Sequence, residues 1–274
     1  MKWTTGMVCG AVIAGVVAIA AIAGDLNPPP GPVAPTAKPL QEVEPRIGLR
    51  SVSGFLGPIT IDEPGSYYLL ENIQALANFD GIVITASDVT IDLNGFALFD
   101  HPNVDSPVGI RIGTNASPVE RVTIKNGSIS GFAAAGIMGQ FASGVIVDSV
   151  RVTDCQDGIV VRNGSQVHKC VANNNDFWGI QISFGSIAIG CTARGNGSDG
   201  MQAFQSIIRD SNSSDNNNRG FFVSEGGVVD CLAYGNASTG FTASSDSHIS
   251  GCTSVGNLSR FSLSSDSSIV DSNN

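Results

Sequence analysis

Beyond residue 80 the apolar residues fall in short runs that alternate with polar ones at period two, and a glycine opens almost every run. Gly81-Ile82, Gly109-Ile110, Gly136-Ile137, Gly158-Ile159, Gly179-Ile180, Gly200-Met201, Gly220-Phe221 and Gly240-Phe241 form a series that Arg260-Phe261 closes; the spacings are 28, 27, 22, 21, 21, 20, 20 and 20 residues. After the glycine, apolar residues take every second position, as at Ile159 and Val161, Ile180 and Ile182, and Phe221 and Val223. That turns one side of a short strand inward. A unit this short has no room for a strand, a full helix and their turns, and the Leu-x-x-Leu-x-Leu signature is absent. Three short strands joined by turns fit.

Further columns keep the same step. A second inward position stands at Val167, Ala188, Ile208, Val228, Ile249 and Ile269, followed three residues on by Cys170, Cys191, Ser211, Cys231 and Cys252. Five residues after those stand Asn175, Asn196, Asn216, Asn236 and Asn257. If each unit is one turn of a parallel stack, equivalent residues lie about 4.8 Å apart and like sits on like. Stacked asparagines then satisfy turn amides at roughly 1 kcal/mol net per bond, and each turn adds apolar groups of about 1.5–3 kcal/mol apiece. The unit between Gly136 and Gly158 fits two registers, so either Asp154 or Cys155 continues the asparagine column.

The Gly-Ile starts, the asparagine column and stretches such as Val89-Thr90-Ile91-Asp92-Leu93-Asn94-Gly95 resemble the secreted bacterial right-handed parallel β-helix repeat proteins of the pectin-lyase-like superfold. The resemblance covers about residues 47 to 274 and implies an all-β, single-stranded parallel solenoid of about nine coils, each of 20–28 residues. Right-handedness follows from the resemblance and from the general hand of parallel crossovers. That superfold hosts lyases, hydrolases, epimerases, tailspikes and adhesins, so the fold alone names no reaction.

Composition narrows the function classes. Fourteen Lys+Arg against 24 Asp+Glu leave a net charge of −10, which argues against a nucleic-acid surface. Lys (4) and Glu (6) are scarce, which starves exposed helices of their usual formers. Residues 1–23 read as a secretory signal peptide, with Lys2, an uncharged run from Gly6 to Ala23 and small residues at its end. An uncleaved membrane anchor is the alternative, since the run is at the lower length limit for spanning a bilayer. Residues 24–46 carry seven prolines and form an extended linker, leaving 47–274 as the repeat domain. The expected location is outside the cytoplasm, secreted, periplasmic or on the cell surface, with no stable membrane insertion once the signal is removed.

Removing Cys9 with the signal leaves five cysteines. Stacked pairs such as Cys170/Cys191 and Cys231/Cys252 sit close enough for disulfides, yet parallel Cβ vectors hold the carbons wider than a disulfide prefers, which favours buried thiols. No Cys-x-x-Cys or histidine pair at ligand spacing suggests zinc. The seven Asn-x-Ser triplets, at Asn115, Asn126, Asn163, Asn196, Asn212, Asn236 and Asn257, follow from what turns require.

Candidate chemistry falls in two places. Bend positions just before the cysteine column supply His168, Lys169, Arg209, Asp210 and Asp230, with Asp210 and Asp230 adjacent as an acid pair or a calcium site. The longer coils form loops around Asp100, His101 and Asp105, and from Asn115 to Arg121. The motifs of the superfold's enzymes are missing, including the Asp-Pro-His-Asp element of mannuronan epimerases and the Arg-x-Pro-x-x-Arg element of pectate lyases. With three His and four Lys, few bases are available, and Trp178 is the tryptophan outside the signal. The expectation is a non-catalytic surface, structural or polysaccharide-binding module without a required cofactor, and the alternative is a polysaccharide lyase, hydrolase or epimerase. The oligomeric state stays open.

Overall fold

The computed structural model describes residues 45–51, 57–100 and 107–273. The signal peptide at 1–23, the linker up to residue 44, His101 and Asp105 lie outside the described residues. Ten strands stack in parallel into one sheet: Ile59–Ile61, Ile82–Ile84, Val108–Ile112, Ala135–Gly139, Asp157–Arg162, Ile180–Ser183, Met201–Phe204, Phe221–Ser224, Thr239–Ser244 and Ser259–Leu263. These are the glycine-opened runs, with one further turn at Ile59 that lacks a glycine start. An 18-stranded sheet covers the other two sides of the coil. The chain is therefore an all-β parallel solenoid of ten turns, and the described residues contain no helix, hence none long and apolar enough to cross a membrane.

The strand register is the one the columns imply. Ile159, Ile180, Met201, Phe221, Phe241 and Phe261 are successive partners, as are Val167, Ala188, Ile208, Val228, Ile249 and Ile269. Phe221 and Phe241 stack with ring centroids 4.9 Å apart and planes 3° from parallel. A single apolar core runs the length of the stack.

Between Gly109 and Gly256 each coil bends at sharp corners that hold a residue with positive φ. One of these corners is filled by Ser149 (56°), Lys169 (50°), Gly190 (65°), Asp210 (50°), Asp230 (52°) and Gly251 (62°). Glycine reaches this region without penalty, and Asp and Asn tolerate it better than other residues, so the corner selects them for backbone reasons.

Polar ladders satisfy the backbone at the corners. Asn175, Asn196, Asn216 and Asn236 are buried, and each accepts at Oδ1 from the main-chain N–H of the preceding coil. Nδ2 of Asn175, Asn196 and Asn216 donates to the next Oδ1 at 2.8–2.9 Å. The backbone N–H of Cys155 donates to Asn175 Oδ1 at 3.2 Å, so Cys155, not Asp154, continues the column. A second ladder of Ser165, Ser186, Ser206, Ser247 and Ser267 works similarly: each hydroxyl accepts from a main-chain N–H of the coil before. Cys155, Cys170, Cys191, Cys231 and Cys252 are all buried free thiols. Burial pushes Cys155 and Cys191 up to about 11 and Cys170 up to about 12.

Candidate functional site

The residues singled out by their bend positions are distributed along the stack. His168 lies between Asp148 and Ile189 in the register, and its Nε2 is buried without a hydrogen-bond partner. Ile189 separates His168 from Arg209, and Gly190 separates Lys169 from Asp210. The stack thus places these two groups two coils apart. Asp210 and Asp230 do occupy neighbouring turns, and the Asp230 carboxylate lies over Gly251. Among the described residues no third His, Cys, Asp or Glu joins them, whereas calcium takes six to eight oxygens. Both stand at the positive-φ corner, which Asp tolerates and which Ser149 and Lys169 also fill. In the longer coils, Asp100 ends the strand region at Ala97–Phe99, and Arg121 is held by Asp88 (2.7 Å) and Glu120 (2.6 Å). Arg121 holds the Asp88 carboxyl below its ordinary value, chiefly through their hydrogen bond.

A different group is assembled on the outer face of the ten-stranded sheet. The residue just before each repeat glycine stands at its entrance, giving Asp157, Trp178, Asp199 and Arg219 on successive coils. The outward position of the strand that follows gives Val160, Gln181, Gln202 and Phe222, which are register partners. Asp199 is fully buried and is gripped by Arg219, whose Nε donates to Oδ1 at 3.0 Å and whose Nη2 donates to Oδ2 at 2.7 Å. Gln202 Nε2 donates to Asp199 Oδ2 at 2.6 Å, and Gln181 Nε2 donates to Gln202 Oε1 at 2.8 Å. The Arg219 guanidinium lies 4.1 Å from the Phe222 ring centroid, a cation–π contact that fixes its plane. Trp178 packs edge-on against Phe177 at 4.8 Å. Burial raises the Asp157 carboxyl above its ordinary value, against the backbone N–H of Trp178 that points at it.

Sequence reasoning passed over this strip because it followed the inward columns. The signal was present one residue before each glycine and two residues after it, where the outward positions carry Asp, Trp, Gln, Arg and Phe. Chemically the strip is a rigid hydrogen-bonding row flanked by aromatic rings. Its central carboxylate is buried and already accepts four hydrogen bonds, from the backbone N–H, Nε and Nη2 of Arg219 and from Gln202 Nε2, which suits fixing its neighbours better than moving a proton.

A family model for the right-handed β-helix region matches residues 59–203. The chain belongs to the right-handed β-helix family. The A-module of mannuronan C-5 epimerase AlgE4 from Azotobacter vinelandii shares the β-helix with a TM-score of 0.64 and 15% identity, over 76% of this chain and 68% of that one. The periplasmic alginate epimerase AlgG superposes with a TM-score of 0.53 and 11% identity, over 78% of this chain and 76% of that one. At these identities the likeness shows the fold alone. No curated protein sequence matches the chain significantly. The right-handed, pectin-lyase-like architecture implied by the repeat is the fold of this β-helix.

Proposed function

We propose that this β-helix is an exported, non-catalytic module that holds a polysaccharide along the outer face of its ten-stranded sheet. The signal peptide at 1–23 would direct export and the proline-rich linker at 24–46 would space the solenoid from it. The observation that carries the reading is the row Gln181–Gln202–Asp199–Arg219, flanked by Trp178 and Phe222. The partly exposed amide of Gln181 is available to a sugar hydroxyl and an aromatic face to the sugar's C–H side, while Asp199 and Gln202, both buried, hold Gln181 in place. Parallel stacking spaces the row at the coil repeat, which suits a polymer lying across several coils. The non-catalytic part rests on the engagement of Asp199 with Arg219 and Gln202, and on the separation of His168 and Lys169 from Arg209 and Asp210.

The rival reading is a polysaccharide lyase, hydrolase or epimerase, favoured by the structural likeness to alginate epimerases. Incubating the protein with alginate, polygalacturonate and neutral glycans, and following unsaturated products by ultraviolet absorbance and new reducing ends, separates the two; C5 inversion is followed by proton NMR. Retention on a polymer without turnover is the expected result. Turnover that is lost on Asp210→Ala or Lys169→Ala overturns the non-catalytic reading.

A further inference from the structure

The amide row has a polarity, and that polarity selects a ligand chemistry. Asp199, paired to Arg219, can only accept hydrogen bonds. Gln202 must therefore turn its Nε2 toward Asp199, which leaves its Oε1 facing Gln181. Gln181 must in turn donate its Nε2 to Gln202, and its own Oε1 is left as the free end of the relay. The two amides cannot flip without setting oxygen against oxygen. The free end of the row is thus a fixed acceptor, three residues after Trp178 on the same coil.

Charge points the same way. The arginine nearest the relay is neutralised by Asp199, and Arg111, farther along the same face, is neutralised by Asp80 through Nε at 2.5 Å and Nη2 at 3.1 Å. Arg162, two positions beyond the register partner of Gln181, has no carboxylate partner among the described residues, since Asp157 stands at the far end of the same strand, and it is the point at which a uronate could still be held. The whole chain carries −10. A uronate carboxylate, an acceptor with a negative charge, would meet a fixed acceptor and an acidic molecule. A sugar hydroxyl would meet a ready partner.

We infer that the strip recognises an uncharged glycan through a hydroxyl donated to Gln181 Oε1, with Trp178 three residues earlier on the same coil as the aromatic group it would meet, and discriminates against polyuronates. This deepens the polysaccharide-binding reading and rests on it. Asp199 is a positioning residue here, because it acts by orienting Gln202 and Gln181.

Affinity electrophoresis in gels containing galactan, mannan, mixed-linkage glucan, alginate or polygalacturonate tests it at low and physiological salt. The expected result is retardation by at least one neutral polymer with little salt dependence, and none by the two polyuronates. Gln181→Leu and Trp178→Ala should each weaken neutral-polymer binding at least tenfold with unchanged circular dichroism. Gln202→Leu, which frees Gln181 to turn its amide, should lower the preference for neutral over acidic polymer about tenfold; a purely structural role would weaken both alike. Polyuronate binding equal to or tighter than neutral binding, especially if lost in Arg162→Gln, overturns the inference and leaves the polysaccharide reading standing. Failure to bind any of the polymers overturns that reading itself.

Discussion

The first four turns and the last six build the same cross-section from different materials. In the early turns two of the corner slots are apolar, Phe132 at the position that is Cys155 in the next coil and asparagine after it, and Val150 ahead of Cys170 in the thiol column, while Asn72 and Ser87 accept from backbone N–H groups singly rather than in ladders. In the later turns asparagine and serine ladders fill the corresponding positions with bonds of 2.7–3.4 Å. An apolar contact tolerates a shift of several tenths of an ångström, whereas a ladder hydrogen bond fails over a similar distance. Hence the early coils vary from 22 to 28 residues while the later ones hold to 20 or 21. The ladders keep the period, and where they stop the period loosens.

The sharpest way to break this contrast is to lengthen a coil by one residue in each region. A glycine inserted between Asn216 and Asn217 displaces the donors and acceptors that Asn216 shares with Asn196 and Asn236, and should cost about 4 kcal/mol or more in denaturant unfolding. The same insertion between Asn115 and Ala116, in the turn where Thr114 and Ser117 exchange backbone hydrogen bonds, should cost about 1 kcal/mol or less. Equal losses at the two sites would refute the idea that ladders set the period.

Substitution within a single corner slot should give smaller effects in the same order. Asn216→Ala removes the acceptor for the backbone N–H of Asn196, which is then stranded in the interior, and one of the two acceptors of Asn196 Nδ2, which keeps the Ala172 carbonyl; the loss should cost about 2–4 kcal/mol. Phe132→Leu at the equivalent apolar slot keeps the chemistry and loses only fit, at about 1 kcal/mol. A cost at Phe132 as large as that at Asn216 would mean the slot demands shape rather than hydrogen bonds.

The thiols offer a comparison between folded and unfolded chain. With Cys155 and Cys191 held up to about 11 and Cys170 to about 12, the thiolate fraction at pH 8 is roughly two orders of magnitude or more below that of a free thiol. Alkylation of Cys155, Cys170 and Cys191 in the native protein should therefore be at least about 100-fold slower than in denaturant, where mass spectrometry should find these three, Cys231 and Cys252 all labelled. Unlabelled cysteines in denaturant without reductant would instead mean disulfides.

The same contrast explains what could be read from the sequence. The turns after Gly158 were legible because corner, ladder and glycine columns repeat together, each for a separate physical reason. Ile59–Ile61 was hidden because its turn has no glycine start, and the serine ladder because serine is common at every corner. The register at Cys155 was ambiguous because a thiol stands where the amide series ends. Asp210 and Asp230 drew notice as an acid pair, and both stand on neighbouring turns at a positive-φ corner that Asp tolerates. The strip at Asp199 was missed because outward residues follow no column of like types: Val160, Gln181, Gln202 and Phe222 share a position and little chemistry.

The smallest predicted effect concerns Asp157, at the boundary between the two regions. Burial raises its carboxyl, so the folded state disfavours the charged form. Above the folded value that penalty is fully present, and it vanishes below the unfolded carboxylate value of about 3.9, where both states are protonated. Asp157→Asn removes the charge and keeps an oxygen for the Trp178 N–H, so it should raise Tm at pH 7 by on the order of 1 °C, with the gain disappearing near pH 3. Melting curves of both proteins from pH 3 to 8 check the sign. A variant that melts lower at pH 7, or a gain that persists unchanged at pH 3, would show that the Asp157 carboxylate is stabilised by its surroundings and that the outer strip extends one coil further as a charged site.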